Sequence, residues 1–323
     1  MIAEGIHCIA VPTPFAVGRV NTYLIEDDPL TLVDSGPNSG KALDELEQGL
    51  RALGHGIEDL GLIVISHQHM DHEGLVEILA RRSGAEVAAL APLADWLGAY
   101  RERMQADDEF AETLMVRNGI APDVAHALRA VSAAFRGWGS AATVTRRLDE
   151  GDEIRLRNRT FTVHHRPGHS PTDTVFHDAE RRLLIGADHL IKHISSNPLI
   201  TRPADGVSRP RTLITYLESL RKTREMDVDV VLAGHGDPVT EHAELIDSRF
   251  RMHEKRAAKI ARRIASDGPI TAHGIAQSLW GDVALTQAYL TLSEVLGHVD
   301  LLLDRGEVVE EEGDDGVVRF RSA

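Results

Sequence analysis

The chain has 323 residues, 42% of them apolar, which is enough for one large domain and a smaller one with hydrophobic cores. Its 35 Lys and Arg face 50 Asp and Glu, and this net charge of −15, with 4% aromatic residues, argues against overall attraction to nucleic acid or anionic lipid. The single cysteine, Cys8, excludes an internal disulfide. No basic leader and no apolar run of about 18 residues is found, so we expect a cytoplasmic protein.

The first third of the sequence alternates β-branched runs with turn residues, a pattern that predicts strands. Four strands are expected, over residues 6–11, 20–26, 30–36 and 60–66. Between the last two, a helix begins at Asn38 or Ser39, and its leucines keep helical spacing at Leu43, Leu46, Leu50 and Leu53. Strands that alternate with helices predict an α/β layered domain.

The middle of the chain changes character twice. Residues 92–140 lack strand signals, and their apolar residues step by four and three, which predicts a helical insertion with the stripe Val124, Leu128, Val131, Phe135 and Trp138. Strand patterns then return at 161–166, 174–178, 182–188 and 229–236. Residues 195–210 contain three prolines and are predicted to form a loop, followed by a helix over about 211–225.

The last part of the chain predicts three helices followed by a hairpin. An apolar stripe marks the third helix, with Leu285, Tyr289, Leu292, Leu296, Val299 and Leu303. The segment 307–320 is typical of two short strands around an acidic turn. Three helices and a two-stranded wing describe a winged-helix module, so we expect an α/β domain over 1–245 and a winged-helix domain over 250–323.

A metal site is indicated by the stretch VISHQHMDHEG, residues 64–74. It places His67, His69, Asp71 and His72 in a polar loop directly after an apolar strand, where a rigid element can direct several ligands to one point. Imidazole nitrogen with carboxylate oxygen suits zinc, and also iron or manganese. One ion could not take four donors so close together without strain, so the cluster favours two.

Three more donors stand in matching positions further along the chain. His169 lies in RPGHSPTD, Asp188 ends the strand LLIGAD, and His235 ends VVLAGHG. Each of them follows an apolar run at a glycine or a turn, and this context separates them from ordinary surface residues.

The motifs HQHMDH, PGHS, GAD and GHG together resemble those of the metallo-β-lactamase fold superfamily, over about residues 6–240. The resemblance implies an αββα sandwich with a metal pair at one edge of its two sheets. It implies that one metal is bound by His67, His69 and His169, a second by Asp71, His72 and His235, and that Asp188 bridges both. Asp34, in LVDSG, matches the family's aspartate that holds the ligand loop.

Two departures from the family pattern bear on function. True β-lactamases of this fold typically use a cysteine where this sequence has Asp188, and Cys8 is far away, so antibiotic hydrolysis is not expected. The loop after His169 is SPTD where many relatives carry a glycine, which leaves its backbone path open.

The metal pair predicts a dinuclear hydrolase, most simply with two zinc ions. Two ions about 3.5 to 4 Å apart lower the pKa of a shared water to near 7, so that metal-bound hydroxide serves as nucleophile. We expect Asp71 to act as both ligand and proton acceptor, and His193 to border the substrate pocket. Seven other histidines are assigned to the surface or to packing: His7, His55, His126, His242, His253, His273 and His298.

Several substrates remain open. The aspartate-bridged branch resembles glyoxalase II, which favours a thioester of coenzyme A, glutathione or a carrier protein. Phosphodiester hydrolysis on RNA, a lactone or another ester, and a DNA-binding regulator are the alternatives. The segment LSEVLGHVDLLLDRGEV resembles the C-terminal module of proteins related to lactamase-beta-like protein 2, some of which cleave RNA while others hydrolyse thioesters.

Charge and aromatic content favour a small acyl substrate. Residues 265–304 contain no Lys or Arg and five acidic residues, and the wing tip is acidic at 310–315, which argues against DNA. The seven basic residues of 249–263 are assigned to a solvated or docked helix face. The insertion carries Trp96, Phe110, Phe135 and Trp138, which suit an acyl chain or a dimer interface.

The remaining partner expectations follow from the same residues. Arg202, Arg209 and Arg211 are candidate contacts for the phosphates of coenzyme A. RNA stays open as a partner, no membrane contact is expected, and a homodimer is an expectation only.

Overall fold

The structure of the protein is a computed structural model that describes residues 3–203 and 209–323. The chain divides into two compact units. The first consists of Met1–Arg103, Phe135–Ser196 and Glu225–His242, and the second of Met104–Ala134, Asn197–Arg224 and Ala243–Ala323. The second unit therefore takes in most of the insertion and residues 197–224, in addition to the C-terminal segment 250–323.

The first unit contains a six-stranded sheet in the order of the sequence. Its strands are β1 (Ile6–Val11), β2 (Val20–Ile25), β3 (Thr31–Val33), β4 (Leu62–Ile65), β5 (Glu86–Leu90) and β6 (Arg146–Leu148). The first three strands pair antiparallel, and β3 to β6 pair parallel. Every residue of β2, β3 and β4 is buried, as expected of strands that are covered on both faces.

A second sheet, of five strands, completes the strands of the first unit. They are β7 (Glu153–Arg155), β8 (Thr160–His165), β9 (Thr174–Asp178), β10 (Leu183–Ala187) and β11 (Val230–Ala233). Strands β7 to β10 pair antiparallel with their neighbours, whereas β10 and β11 are parallel. The carboxyl ends of β8, β10 and β11 consequently lie at the same edge of this sheet.

The helices up to residue 224 include the predicted helix after Ser39, the predicted helical insertion and the predicted helix near 211–225, and also two short helices within residues 70–83 that the sequence did not predict. They are α1 (Gly40–Ala52), α2 (Met70–Glu73), α3 (Val76–Ser83), α4 (Ala91–Gly98), α5 (Tyr100–Arg117), α6 (Pro122–Phe135) and α7 (Thr212–Arg224). Ser39 caps α1, because its side chain accepts a hydrogen bond from the Ala42 amide. The helical insertion is confirmed, but Val131 on its predicted apolar stripe is 55% exposed, and α6 instead buries Ala125.

The predicted loop over 195–210 contains no helix or strand at 195–203 and 209–210, and its residues 204–208 lie outside the described part of the chain. The mixed α/β fold class is confirmed by these elements.

The C-terminal part of the second unit contains α8 (His242–Asp267), α9 (Ala272–Trp280), α10 (Val283–Thr286) and α11 (Ala288–Asp304), then β12 (Val308–Glu312) and β13 (Val318–Ser322). The two strands form an antiparallel hairpin. Leu292, Leu296 and Val299 are buried as predicted, whereas Leu285 lies on the short helix α10 and is 43% exposed. One hydrophobic cluster joins α5, α8, α9 and α11.

Candidate metal centre

The candidate site lies in the first unit, where strands of both sheets end. His67, His69, Asp71 and His72 follow β4, and the last two are buried on the short helix α2. His169 follows β8, Asp188 follows β10 and His235 follows β11. Strand ends of this kind gather polar side chains at one sheet edge, which is where open α/β sheets bind ligands.

Three histidines form the first group. Nδ1 of His69 lies 3.1 Å from Nε2 of His67 and 2.9 Å from Nε2 of His169. Asp188 belongs to the same group of potential metal ligands, with its Oδ2 3.5 Å from Nε2 of His169. Ring nitrogens at such distances match ligands about 2.0 to 2.1 Å from one shared ion.

The second group consists of Asp71, His72 and His235. Oδ2 of Asp71 lies 3.4 Å from Nε2 of His235. All three residues are at most 6% exposed, so water has little access to satisfy their polar atoms.

Asp188 faces both groups. Its Oδ1 lies 3.4 Å from Nε2 of His72, and its Oδ2 lies 3.4 Å from Nε2 of His235 and 3.5 Å from Nε2 of His169. One oxygen of this carboxylate, Oδ2, thus lies close to histidines of both groups, and the other faces His72 of the second group, a placement that allows Asp188 to bridge two ions.

Asp34 orients two of the histidines. Its Oδ2 accepts a hydrogen bond from Nδ1 of His72 at 2.8 Å, and its two oxygens accept from the amide and hydroxyl of Ser66. The Ser66 hydroxyl in turn lies 3.0 Å from Nδ1 of His67. The backbone of Asp34 has φ 60°, a left-handed conformation that aspartate tolerates better than most residues. This network fixes Nε2 of both rings toward the site.

His235 is held by the neighbouring sheet. Its Nδ1 donates to the carbonyl of Arg19 at 2.8 Å, so its Nε2 faces the site. The Asn21 side chain donates to the carbonyls of Ala233 and Gly236, each at 2.9 Å. Asn21 was not singled out from the sequence, because nothing in the pattern of β2 indicates that its side chain spans the turn around His235.

Gly234 has a steric role that only the folded chain makes visible. A Cβ atom at this position would lie 2.2 Å from Oδ1 of Asp188 and 2.8 Å from His72. The first glycine of GHG therefore keeps room for the bridging carboxylate.

The His169 loop is closed by Asp173. Its two carboxylate oxygens accept hydrogen bonds from the amide and the hydroxyl of Ser170, at 2.8 and 2.9 Å. Burial raises the pKa of Asp173 to about 6. The segment SPTD, where many relatives carry a glycine, thus forms a loop stabilised by its own side chains.

Burial and neighbouring charges divide the ligands by their proton affinity. Burial, together with the surrounding histidines, lowers the pKa of His69 to about 3 and that of His67 well below its ordinary value, so both are neutral at pH 7. Burial also acts on His235, but Asp188 and Asp71 outweigh it and raise its pKa to about 9. Burial of His72 is likewise outweighed by the nearby carboxylates, which raise its pKa. Burial of Asp188 is outweighed by the nearby histidines, which lower its pKa.

The side chains fit a pair of divalent metal ions. Among the described residues, Nε2 of His72, Nε2 of His235 and Oδ1 of Asp188 are buried without a hydrogen-bond partner, although they face one another. Unsatisfied buried polar atoms are costly, and metal ions would satisfy all three. The structure brings together the seven predicted ligands, and Asp34 beside them.

His193, the remaining predicted site residue, is exposed. A Cβ atom added to Gly236 would lie 2.8 Å from its Nδ1, so the ring lies beside the residue that follows the ligand His235. No hydrogen bond from His193 to a ligand is seen within the described residues.

Comparisons with known proteins give the family. The family model described as the metallo-beta-lactamase superfamily matches residues 16–235. A probable metallo-hydrolase of Bacillus subtilis, YqjP, is 32% identical over 323 residues, covering 100% of this chain and 99% of that protein. The beta-lactamase-like protein 2 homolog of Caenorhabditis elegans is 21% identical over 278 residues, covering 84% of this chain and 74% of that protein.

Two solved structures are similar over the whole chain. A beta-lactamase domain protein from Burkholderia ambifaria has a TM-score of 0.84 and 27% identity, covering 100% of this chain and 93% of its own. A metallo-beta-lactamase family protein from Thermus thermophilus has a TM-score of 0.82 and 23% identity, with 100% of both chains covered. Among residues 3–203 and 209–323, none of the helices has the length and apolar character that a membrane crossing requires.

Proposed function

Since this chain belongs to the metallo-beta-lactamase superfamily and is a metal-dependent hydrolase, we propose that it hydrolyses a thioester or a related acyl ester with two divalent transition-metal ions, zinc in the first place. The observation that carries the proposal is Asp188, whose Oδ2 lies 3.5 Å from Nε2 of His169 in the first group and 3.4 Å from Nε2 of His235 in the second.

In this proposal His67, His69 and His169 would hold one ion, Asp71, His72 and His235 would hold the other, and Asp188 would be a ligand shared by both. Ions held there would supply Lewis acidity, which lowers the pKa of a water molecule and polarises the oxygen under attack.

The other roles belong to side chains of the chain itself. The Asp71 carboxylate takes the proton of the attacking water, and burial of the site excludes bulk solvent. Asp34 and Ser66 keep the two rings they contact in the tautomer that presents Nε2. His193, exposed beside Gly236, contacts the substrate.

Two aromatic side chains, Phe15 and Phe135, support an acyl substrate. The rings of Phe15 and Phe135 lie 6.2 Å apart, and Phe135 is 36% exposed. The loop that contains Phe15 ends at Arg19, whose carbonyl holds His235. One ring in the loop that holds His235 and a second ring at the end of α6 offer an apolar surface for an acyl chain.

The arginines expected to bind coenzyme A are already paired. Arg202, Arg209 and Arg211 line one cavity of about 750 Å³ in the second unit, and they form ion pairs with Asp107, Asp300 and Asp304, respectively. A phosphate would have to displace these carboxylates. We therefore propose that the acyl group, rather than the nucleotide of coenzyme A, is recognised.

RNA is the second candidate substrate, because the segment LSEVLGHVDLLLDRGEV resembles a C-terminal module found in proteins some of which cleave RNA. We propose that α8, α9 and α11, with the short helix α10 between the last two, form a winged helix together with the β12–β13 hairpin. The negative charge of its hairpin disfavours binding of both RNA and DNA. The exposed acidic side chains of the hairpin are Glu310, Glu311, Glu312, Asp314 and Asp315.

The test is a substrate panel with the zinc-loaded protein. Acyl thioesters of increasing chain length, a lactone, a phosphodiester reporter and single-stranded RNA are compared by kcat/KM. We expect a thioester to be the best substrate. RNA cleavage that outpaces every thioester would overturn the proposed substrate class.

The same panel tests the bridging carboxylate. Asp188→Ala should lower turnover by orders of magnitude, because it removes the ligand shared by both groups. Asp95→Asn is the matched control, since Asp95 is an exposed aspartate of α4 that pairs with Arg147. Full activity of the Asp188 variant would refute the assignment.

A further inference from the structure

The core of the second unit contains two buried histidines on different helices. His253 lies on α8 and His298 on α11, and they are 1% and 0% exposed. Nδ1 of His253 lies 3.1 Å from Nε2 of His298. The sequence predicts both to be surface or packing residues, because neither follows a strand end.

Glu294 supplies a third donor. It lies four residues before His298, so one turn of α11 places both side chains on the same face. One potential ligand atom of each residue, His253, Glu294 and His298, lies within 4.8 Å of the other two. Two imidazole nitrogens and one carboxylate oxygen suit zinc and similar ions, whereas magnesium and calcium prefer mostly oxygen.

The ring of His298 is oriented as a metal-binding histidine would be. Its Nδ1 donates to the backbone carbonyl of Glu294 at 2.7 Å, which leaves the lone pair on Nε2 directed at His253. His235 in the first unit is held in the same way by the carbonyl of Arg19, at 2.8 Å. A hydrogen bond on the second ring nitrogen is the usual way in which proteins fix metal-binding histidines.

We propose that His253, Glu294 and His298 bind one divalent transition-metal ion of the zinc type, separate from the site of the first unit. The ion would link α8 to α11, and the side chains next to the site, such as Ala257 and Val295, belong to the hydrophobic core of this unit. Three protein ligands leave room for a water molecule as the fourth.

Arg256 modulates this site. Its guanidinium bonds to the Glu294 carboxylate, so in the absence of a metal it balances the charge of that carboxylate. A cation and a metal ion compete for the same oxygens. Removal of Arg256 should therefore strengthen metal binding.

The alternative is a hydrogen bond between the two rings, without a metal. His253 would then donate from Nδ1 to Nε2 of His298. Both arrangements stabilise the contact between α8 and α11, so loss of stability in a variant does not separate them. The number of metal ions bound does.

The experiment uses the full chain, in which His67→Ala, His69→Ala and His235→Ala remove metal ligands of the first unit. Co²⁺ is titrated into this background protein and followed by its visible absorption and by equilibrium dialysis. A second protein adds His298→Asn, and a third adds Glu294→Gln. The matched control adds His273→Asn, which changes another buried histidine of the second unit.

The background protein and the His273 control should each bind close to one Co²⁺ per chain. His298→Asn and Glu294→Gln should each weaken that binding by about tenfold or more. Arg256→Gln should tighten it several-fold. Circular dichroism checks the fold of each variant, and Glu294→Gln carries the test if His298→Asn does not fold. A background protein that binds no Co²⁺, or one whose binding both substitutions leave unchanged, would overturn the proposal.

Discussion

At the scale of single residues, the candidate metal centre depends on which nitrogen each histidine directs inward. His69 presents Nδ1, whereas His67 and His169 present Nε2. Both Nε2 atoms lie within 3.1 Å of Nδ1 of His69. For His67 and His72 the inward nitrogen is set by contacts to Ser66 and Asp34. The orientation of the ligands is therefore a property of residues that bind no metal.

A substitution at Asp34 tests this orientation. Asp34→Asn keeps the size of the side chain. It removes the negative charge of the carboxylate that accepts hydrogen bonds from His72 and Ser66. We expect metal affinity to fall by about 10- to 100-fold, as for other residues that orient metal ligands. Competition with a coloured chelator measures it.

Asp178→Asn is the control for Asp34→Asn, because Asp178 is an equally buried aspartate of the same unit that pairs with Arg181. It should cost stability while metal affinity stays the same. Equal affinities for the Asp34 variant and the unchanged protein would contradict the orienting role.

Metal affinity should also depend on pH. In the metal-free protein the pKa of His235 is raised to about 9, and that of His72 is raised as well, so both are protonated at neutral pH. A metal ion must displace these protons. Affinity should therefore fall as pH drops below about 9, by about tenfold per pH unit for each proton displaced.

Calorimetry in two buffers of different ionisation enthalpy counts the protons released on metal binding. We expect between one and two protons per chain near pH 7, and fewer in a His235→Gln variant. Proton release of zero at pH 7 would show that these histidines are neutral before the metal binds.

At the scale of elements, the ligand positions could be predicted because each follows a strand end. Apolar runs that stop at a glycine or a turn marked His169, Asp188 and His235 in the sequence. The bounds of the eight strands predicted for the first unit agree to within three residues, as for β4, predicted over 60–66 and observed over Leu62–Ile65, whereas β5, β6 and β7 were not predicted.

Other parts of the site could not be predicted, because they depend on pairs of elements that meet only in the folded chain. Asn21 of β2 reaches the turn after β11, 212 residues away along the chain, and Gly234 makes room for Asp188. The pair His253 and His298 was missed for the same reason: α8 and α11 are separate in sequence, and a helical pattern does not tell which faces will meet.

The aromatic pair Phe15 and Phe135 leads to a prediction about the acyl chain of the substrate. Phe135→Ser removes one of two apolar rings, so KM for a long-chain acyl thioester should rise by about tenfold, the expected effect of losing a buried phenylalanine contact. KM for an acetyl thioester should change little.

Val131→Ser is the control for Phe135→Ser, since Val131 lies one turn earlier on α6 and is 55% exposed. The ratio of KM values for long and short substrates is the quantity to compare. An equal rise for both substrates would mean that Phe135 does not contact the acyl chain.

At the scale of the whole molecule, we expect each of the two units to be stabilised separately by metal binding. The seven ligands of the first site belong to the first unit, whereas His253, Glu294 and His298 belong to the second. Without an ion, the buried charges of the first site are compensated only in part. Asp188 and His235 keep polar atoms that have no hydrogen-bond partner among the described residues. Metal is therefore expected to stabilise the fold as well as to serve the reaction.

Removal of metal should lower the melting temperature. A ligand present at about 1,000 times its Kd stabilises the folded state by about 4 kcal/mol, which corresponds to a shift on the order of 10 °C. Differential scanning calorimetry with and without a chelator measures the shift. The Asp188→Ala variant should respond less, and an unchanged melting temperature in the parent protein would contradict the expected stabilisation.

The most direct test of the central claim is anomalous X-ray diffraction at the zinc edge from crystals of the zinc-loaded protein. The account predicts two peaks in the first unit, about 3.5 to 4 Å apart, on either side of the Asp188 carboxylate. One of them should be surrounded by His67, His69 and His169. Absence of anomalous peaks among these side chains, or a single peak that Asp188 does not contact, would contradict it.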